Sequence, residues 1–264
     1  MSLLQLPHAT VEYSREGAGP DLLLIHSLLT EMTVFDAVAP ALARSHRVTR
    51  VNLPGFGGSS PLELAAVADW AAHVASIIEA LGLPSTTTVF GNGFGAFVSL
   101  ELASVHGERF GDLIVADVVP AFPEPARVPF RNMAAKVRES GMQAVLDAAI
   151  GRMFPADFQA RAPQTIAERK ARLATVDPAC FAQACLGLAA LDLRPKLPAI
   201  RNRTLVMCGA LDQTTPPALA REVAAAIPGA AWREIPGSGH CPMLEQPEAL
   251  VAEIDAFNRA RSLA

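Results

Sequence analysis

Short apolar runs with the look of buried strands recur along this chain, each followed by a segment of helical character. "DLLLIHS" (21–27) carries a continuous rather than alternating apolar stretch, as a strand covered on both faces does. "HRVTRVN" (46–52), "TTTVF" (86–90), "DLIVADVVP" (112–120) and "RTLVMCGALD" (203–212) repeat the theme in β-branched and aliphatic residues. Between them lie stretches with helical spacing: about 33–43, 65–83 (closed by Gly82 and Pro84) and 96–102. A further helix is expected near 217–226, a strand at 231–235 and a last helix near 247–259. Strand, helix, strand in this rhythm predicts an α/β fold, a mostly parallel central sheet flanked by helices. With 264 residues, 51% of them hydrophobic, the chain can bury a core of that size, and one domain over 1–264 is the expectation.

The rhythm breaks once. Residues 121 to about 198 contain no convincing strand and read as several short helices punctuated by prolines. A helical cap or lid inserted in the α/β unit is the expectation. Within it Phe181, Cys185 and Leu188 share one helical face, which either packs on the lid's own core, the favoured reading, or borders a pocket. Arg131 and Arg152 also fall here, and sequence alone assigns neither to a pocket.

Composition excludes several classes. Charged residues make up 18% of the chain, the net charge is -4 and no Lys/Arg run occurs, so nucleic acid is not an expected partner. No apolar run reaches the ~18 residues of a membrane span, and the N-terminus lacks a basic segment leading into an apolar one. Cys180, Cys185, Cys208 and Cys241 form no C-x-x-C pair, which fits free thiols in a cytoplasmic protein. No His-Glu-x-x-His or other metal-ligand spacing appears, so no metal is expected.

Chemistry concentrates at strand ends. "GNGFG" (91–95) has the form of the Gly-x-Ser-x-Gly turn that presents a nucleophile between strand and helix, with Gly93 where the serine would stand. Asp212 follows the strand of "LVMCGALD", and His240 lies in the Gly/Ser/Pro loop "GSGHCP". In isolation each has a plain reading, as a turn aspartate and a surface histidine. Together with Gly93 they fall in the chain order nucleophile, acid, base, and all three follow strands, so they would gather at one edge of the sheet.

These segments resemble the α/β-hydrolase superfamily over essentially the whole chain, through "VNLPGFGGSSP", "GNGFGA", "LVMCGALDQTTPP" and "GSGHCPMLEQPE". "HSLLTE" (26–31) and "DPACFAQACLGLAALDLRPKLPAI" (177–200) are most similar to 3-oxoadipate enol-lactonase-like hydrolases; "GN-x-FG" also resembles hydrolases that cleave C–C bonds. The resemblance implies hydrolysis of a small, partly apolar carboxylic ester or lactone without a cofactor. It implies that Asp212 orients His240, that His240 is the general base, and that the N–H groups of Leu28 and Phe94 form the oxyanion hole. It also implies serine at position 93. Three readings of Gly93 stay open: a serine deliberately replaced; a natural glycine beside which His240 and Asp212 activate water or move a proton on the substrate; and a ligand-binding pseudoenzyme. Ser27 and Asp117 are alternate reactive residues, and Cys241, adjoining His240, is a weaker one.

Overall fold

The computed structural model describes residues 1–261. Eight strands form one sheet: β1 (Ser2–Leu6), β2 (Ala9–Glu16), β3 (Asp21–Ile25), β4 (Arg47–Val51), β5 (Thr88–Asn92), β6 (Leu113–Ala116), β7 (Thr204–Gly209) and β8 (Ala231–Ile235). Their order across the sheet is β1-β2-β4-β3-β5-β6-β7-β8. From β4 onward every pairing is parallel, while β1 with β2 and β2 with β4 are antiparallel. Every residue of β3, β5, β6 and β7 is buried, which is why these strands read as unbroken apolar runs.

Helices cross between the strands. They are α1 (Ala39–Leu42), α2 (Val67–Ala80), α3 (Phe94–His106), α9 (Pro217–Ala226), α10 (Pro242–Glu245) and α11 (Pro247–Arg261), with α4 (Glu124–Ser140), α5 (Leu146–Met153), α6 (Ala156–Arg161), α7 (Pro163–Leu173) and α8 (Pro178–Ala190) between β6 and β7. The core lies on both sheet faces; Trp70 of α2 meets Phe94 of α3 edge-on at 5.0 Å between ring centres. No single helix among the described residues is long and apolar enough to cross a membrane.

Two expectations need correction, and one element was not anticipated. The helix expected at about 33–43 is a 3-10 turn, Met32–Phe35, followed by the four-residue α1. Glu31 starts that turn by accepting from the Thr33 N–H, and Pro40, which has no N–H to offer a longer helix, sits at the start of α1. The strand before the glycine turn runs two residues further than "TTTVF" suggests, through Gly91 and Asn92. Finally, β1 and β2 form an edge hairpin. Their residues are mostly exposed or half-buried, so they carry no continuous apolar signal.

The stretch between β6 and β7 holds several helices and no strand among the described residues, and an isolated bridge joins Ala121 to Asp192. Phe181 and Cys185 of α8 are fully buried, and Leu188 on the same face borders the cavity described next.

Candidate active site

The turn from β5 into α3 is set by close backbone approach. A Cβ on Gly95 would lie 2.3 Å from the Ile25 carbonyl oxygen, so only glycine lets α3 start this near β3. Gly93 stands at the apex with φ 51° and ψ -116°, a conformation that L side chains rarely adopt. Its N–H donates to the Ala116 carbonyl, and its own carbonyl accepts from Ala96 and Phe97 N–H, the first turn of α3.

His240 and Asp212 meet beside this apex. Asp212 Oδ2 lies 2.8 Å from His240 Nδ1. The carboxylate also accepts from the Thr215 hydroxyl at 2.5 Å and from the N–H groups of Thr214 and Thr215. Burial opposes ionisation of Asp212, but the His240 charge and these hydrogen bonds outweigh it and hold the carboxyl down at about 2. Burial likewise opposes charge on His240, and the Asp212 carboxylate overcomes it, raising the imidazole to about 9. Nε2 is left facing Gly93, 3.0 Å from where a Cβ on that residue would sit.

The His240 loop is itself held by a residue that the sequence reading did not single out. Glu245 accepts from the N–H groups of Gly239 and Cys241, one on each side of His240. Its only sequence cue was its place in "GSGHCPMLEQPE". Asn92 adds a second tie, its amide donating to Asp117 and, at 3.3 Å, to the His240 carbonyl.

The third wall is the loop after β3. His26 is fully buried and is pushed down to about 4 by burial, so it is neutral at pH 7. Nδ1 donates to the Ser27 carbonyl at 2.8 Å, and Nε2 accepts the Leu53 N–H at 3.0 Å, which together define one tautomer. Thr30 completes the turn by accepting the Ser27 N–H. Sequence reasoning missed His26 as the anchor of this loop. The Leu28 N–H has no protein acceptor among the described residues, whereas Phe94 N–H donates to Ser27 Oγ at 3.4 Å.

Asp117 lies behind the dyad rather than in the cavity. It has φ 60°, accepts from the Asn92 amide and the Gly209 N–H, and is pushed up to about 8 by burial and then by the Asp212 charge. Donor atoms of Asp117, Asp212 and His240 fall within 4.8 Å of one another, but His240 Nδ1 is already engaged by Asp212. Cys241 is fully buried, with its thiol pushed well up, and is absent from the cavity lining.

A small cavity of about 30 Å³ opens over Gly93 and His240. Leu28, Phe97, Phe122, Phe130, Met133 and Leu188 make it apolar, and Arg152 borders it together with the His240 imidazole. Arg152 lies over the Phe130 ring at 5.2 Å and forms no ion pair among the described residues. Arg131 is on the exterior, paired with Glu124.

The chain is similar to several known proteins. The chain is 30% identical, over 94% of its own length and 99% of the other's, to a pimeloyl-[acyl-carrier protein] methyl ester esterase of Aeromonas hydrophila. It is also 30% identical to polyketide synthase ThaQ of Burkholderia thailandensis over 97% of this chain, which spans only 12% of that much longer protein. Among solved structures, the enol-lactonase of Burkholderia xenovorans superposes with a TM-score of 0.91 at 26% identity, covering 98% of this chain and 100% of that one. An esterase of Thermogutta terrifontis gives 0.90 at 26% identity, covering 98% of each. The sequence profile of the alpha/beta hydrolase family matches residues 22–254, nearly the whole chain, and the chain belongs to that family.

Proposed function

We propose that this protein hydrolyses a small carboxylic ester or lactone with an apolar body. The observation that carries the reading is the buried His240–Asp212 pair, with Nε2 directed at the apolar cavity beside the start of α3. His240, in its neutral form, takes a proton from the attacking oxygen, and Asp212 fixes its tautomer and stabilises the imidazolium. The Leu28 and Phe94 N–H groups receive the oxyanion. Gly93 contributes backbone only, so the attacking oxygen comes from a water or from another element. Support comes also from the relatives, which include ester and lactone hydrolases.

The test is turnover of short-chain p-nitrophenyl esters and an enol-lactone by the protein and by His240→Ala. We expect His240→Ala to lose about 10²–10⁴-fold in kcat/KM, the span of a general base. Equal turnover by the two proteins overturns the reading.

A further inference from the structure

The elbow lacks a hydroxyl, and a neighbouring loop brings one to the same place. A Cβ built on Gly93 would stand 2.3 Å from Ser27 Oγ, closer than any real Cβ contact. Ser27 Oγ therefore fills space that a side chain at position 93 would need. That space also lies 3.0 Å from His240 Nε2, so hydroxyl and imidazole flank one methylene-sized gap. They are not hydrogen-bonded in this resting arrangement, and such bonds commonly tighten only when substrate is present.

The other hydroxyls lining the cavity are committed. Thr215 donates to Asp212, and Thr214 donates to the Arg152 carbonyl. Ser27 Oγ accepts from Phe94 N–H but has no acceptor for its own proton among the described residues. Phe94 is the first residue of the thirteen-residue α3, so Ser27 Oγ sits at the positive end of that helix, where a developing alkoxide is favoured.

We infer that Ser27 is the nucleophile of this chain, acting from the loop after β3 instead of from the elbow, with His240 as its base. The inference rests on the ester or lactone reading above. Ser27 Oγ bonds to the carbonyl carbon as its proton passes to His240 Nε2, and the carbonyl π pair moves onto oxygen beside the Leu28 and Phe94 N–H groups. Collapse of this intermediate breaks the bond to the alcohol oxygen, which leaves with the proton from His240. The acyl group stays on Ser27. Water then gives a proton to His240 and attacks the acyl carbon, and Ser27 Oγ departs with that proton. One ester and one water become one acid and one alcohol; in a lactone the alcohol stays tethered.

The experiment is labelling with a fluorophosphonate, followed by peptide mass spectrometry, alongside rapid-mixing turnover of p-nitrophenyl butyrate. We expect the phosphonyl group on the peptide bearing Ser27, and a burst of about one p-nitrophenol per chain if deacylation is the slower step. Ser27→Ala should lose label and burst, with kcat/KM falling at least about hundredfold. A matching thermal transition shows that it still folds. Labelling of the unaltered protein needs no variant, so it decides the matter even if Ser27→Ala misfolds. Label on another residue overturns the proposal. So does turnover that depends on His240 but proceeds unchanged in Ser27→Ala without label, which would leave the ester reading intact with water as nucleophile. No turnover of any ester or lactone overturns both.

Discussion

Glu31 and Arg169 form a buried ion pair, 3.3 Å between Oε1 and the guanidinium, with side chains only 5% and 7% exposed. Glu31 ends the loop that carries Ser27 and Leu28, and Arg169 belongs to α7, so the pair fastens the helices between β6 and β7 to that loop. Arg169 also donates to the Thr33 hydroxyl, which itself hydrogen-bonds Glu31. Arg169→Met strands the Glu31 charge in the interior. We expect unfolding free energy to fall by about 3 kcal/mol, the low end of the ~3–5 seen when one partner of such a pair is lost. The low end applies because Arg172 Nε stands 3.9 Å from the same oxygen. Urea denaturation at unchanged slope measures it.

Substitution at Gly93 tests the crowding with Ser27 directly. Gly93→Ala places a Cβ 2.3 Å from Ser27 Oγ and 2.9 Å from Ser27 Cβ, on a backbone with φ 51°. We expect a loss of about 1–3 kcal/mol, the usual magnitude for a non-glycine residue held in a sparse region. Gly93→Ser alone meets the same neighbours. Combined with Ser27→Gly it regains room and sets a hydroxyl at the elbow. The double variant should therefore be more stable than Gly93→Ser, and its labelled peptide should be the one bearing residue 93.

The pH profile follows from His240. Only neutral imidazole accepts a proton, and the Asp212 carboxylate raises this imidazole to about 9. Activity should therefore climb about tenfold per pH unit from 7 and level off above 9. Asp212→Asn removes the charge that sustains the shift, so the climb should move to lower pH while the plateau drops by about 10²–10⁴-fold. Stability runs the other way. A raised histidine stabilises the fold fully below its unfolded value of ~6.5, and that contribution disappears as pH rises through 9. The Asp212 contribution is present above its unfolded value of ~3.9 and is lost as pH falls through about 2. Denaturation midpoints against pH, with and without His240→Ala, measure both.

Asp117 should behave differently from Asp212 despite its nearness. Burial and the Asp212 charge push it up to about 8, so it is largely neutral at pH 7. Asp117→Asn keeps a polar side chain of the same shape, and asparagine tolerates the positive φ of 60° found there. Stability should change by less than about 1 kcal/mol. Asp117→Ala leaves the buried Gly209 N–H and the Asn92 amide without this acceptor, and should cost about 1–3 kcal/mol. Paired denaturation curves for the two variants separate the cases.

The fold was legible wherever burial on both faces forced continuous apolar sequence. β3, β6 and β7 announce themselves in this way, and β8 and α9 run over the very residues expected. The edge hairpin was not legible, because half-exposed strands such as β2 mix polar and apolar residues without a clear period. In the site, Gly93, Asp212 and His240 could be read because each sits in a Gly-rich or Pro-rich loop after a strand. Residues that act by holding others, such as His26 and Asn92, do not reveal that role in the sequence around them. The Leu53 N–H that His26 accepts lies 27 positions away and the His240 carbonyl that Asn92 meets lies 148 away, and only the folded backbone brings them together. Arg152 shows the same limit: its sequence placed it among helices, and tertiary packing alone decided that it, and not Arg131, borders the cavity.

Arg152 has one further consequence. Under the ester reading, the acid half is born as a carboxylate inside a cavity bordered by Arg152 as well as by His240. The guanidinium forms no ion pair among the described residues and lies over the Phe130 ring. Under the ester reading, a carboxylate product should therefore bind more tightly than the neutral substrate. Simple aliphatic carboxylates should act as competitive inhibitors, less so in Arg152→Gln, and the enzyme should slow as its own product accumulates.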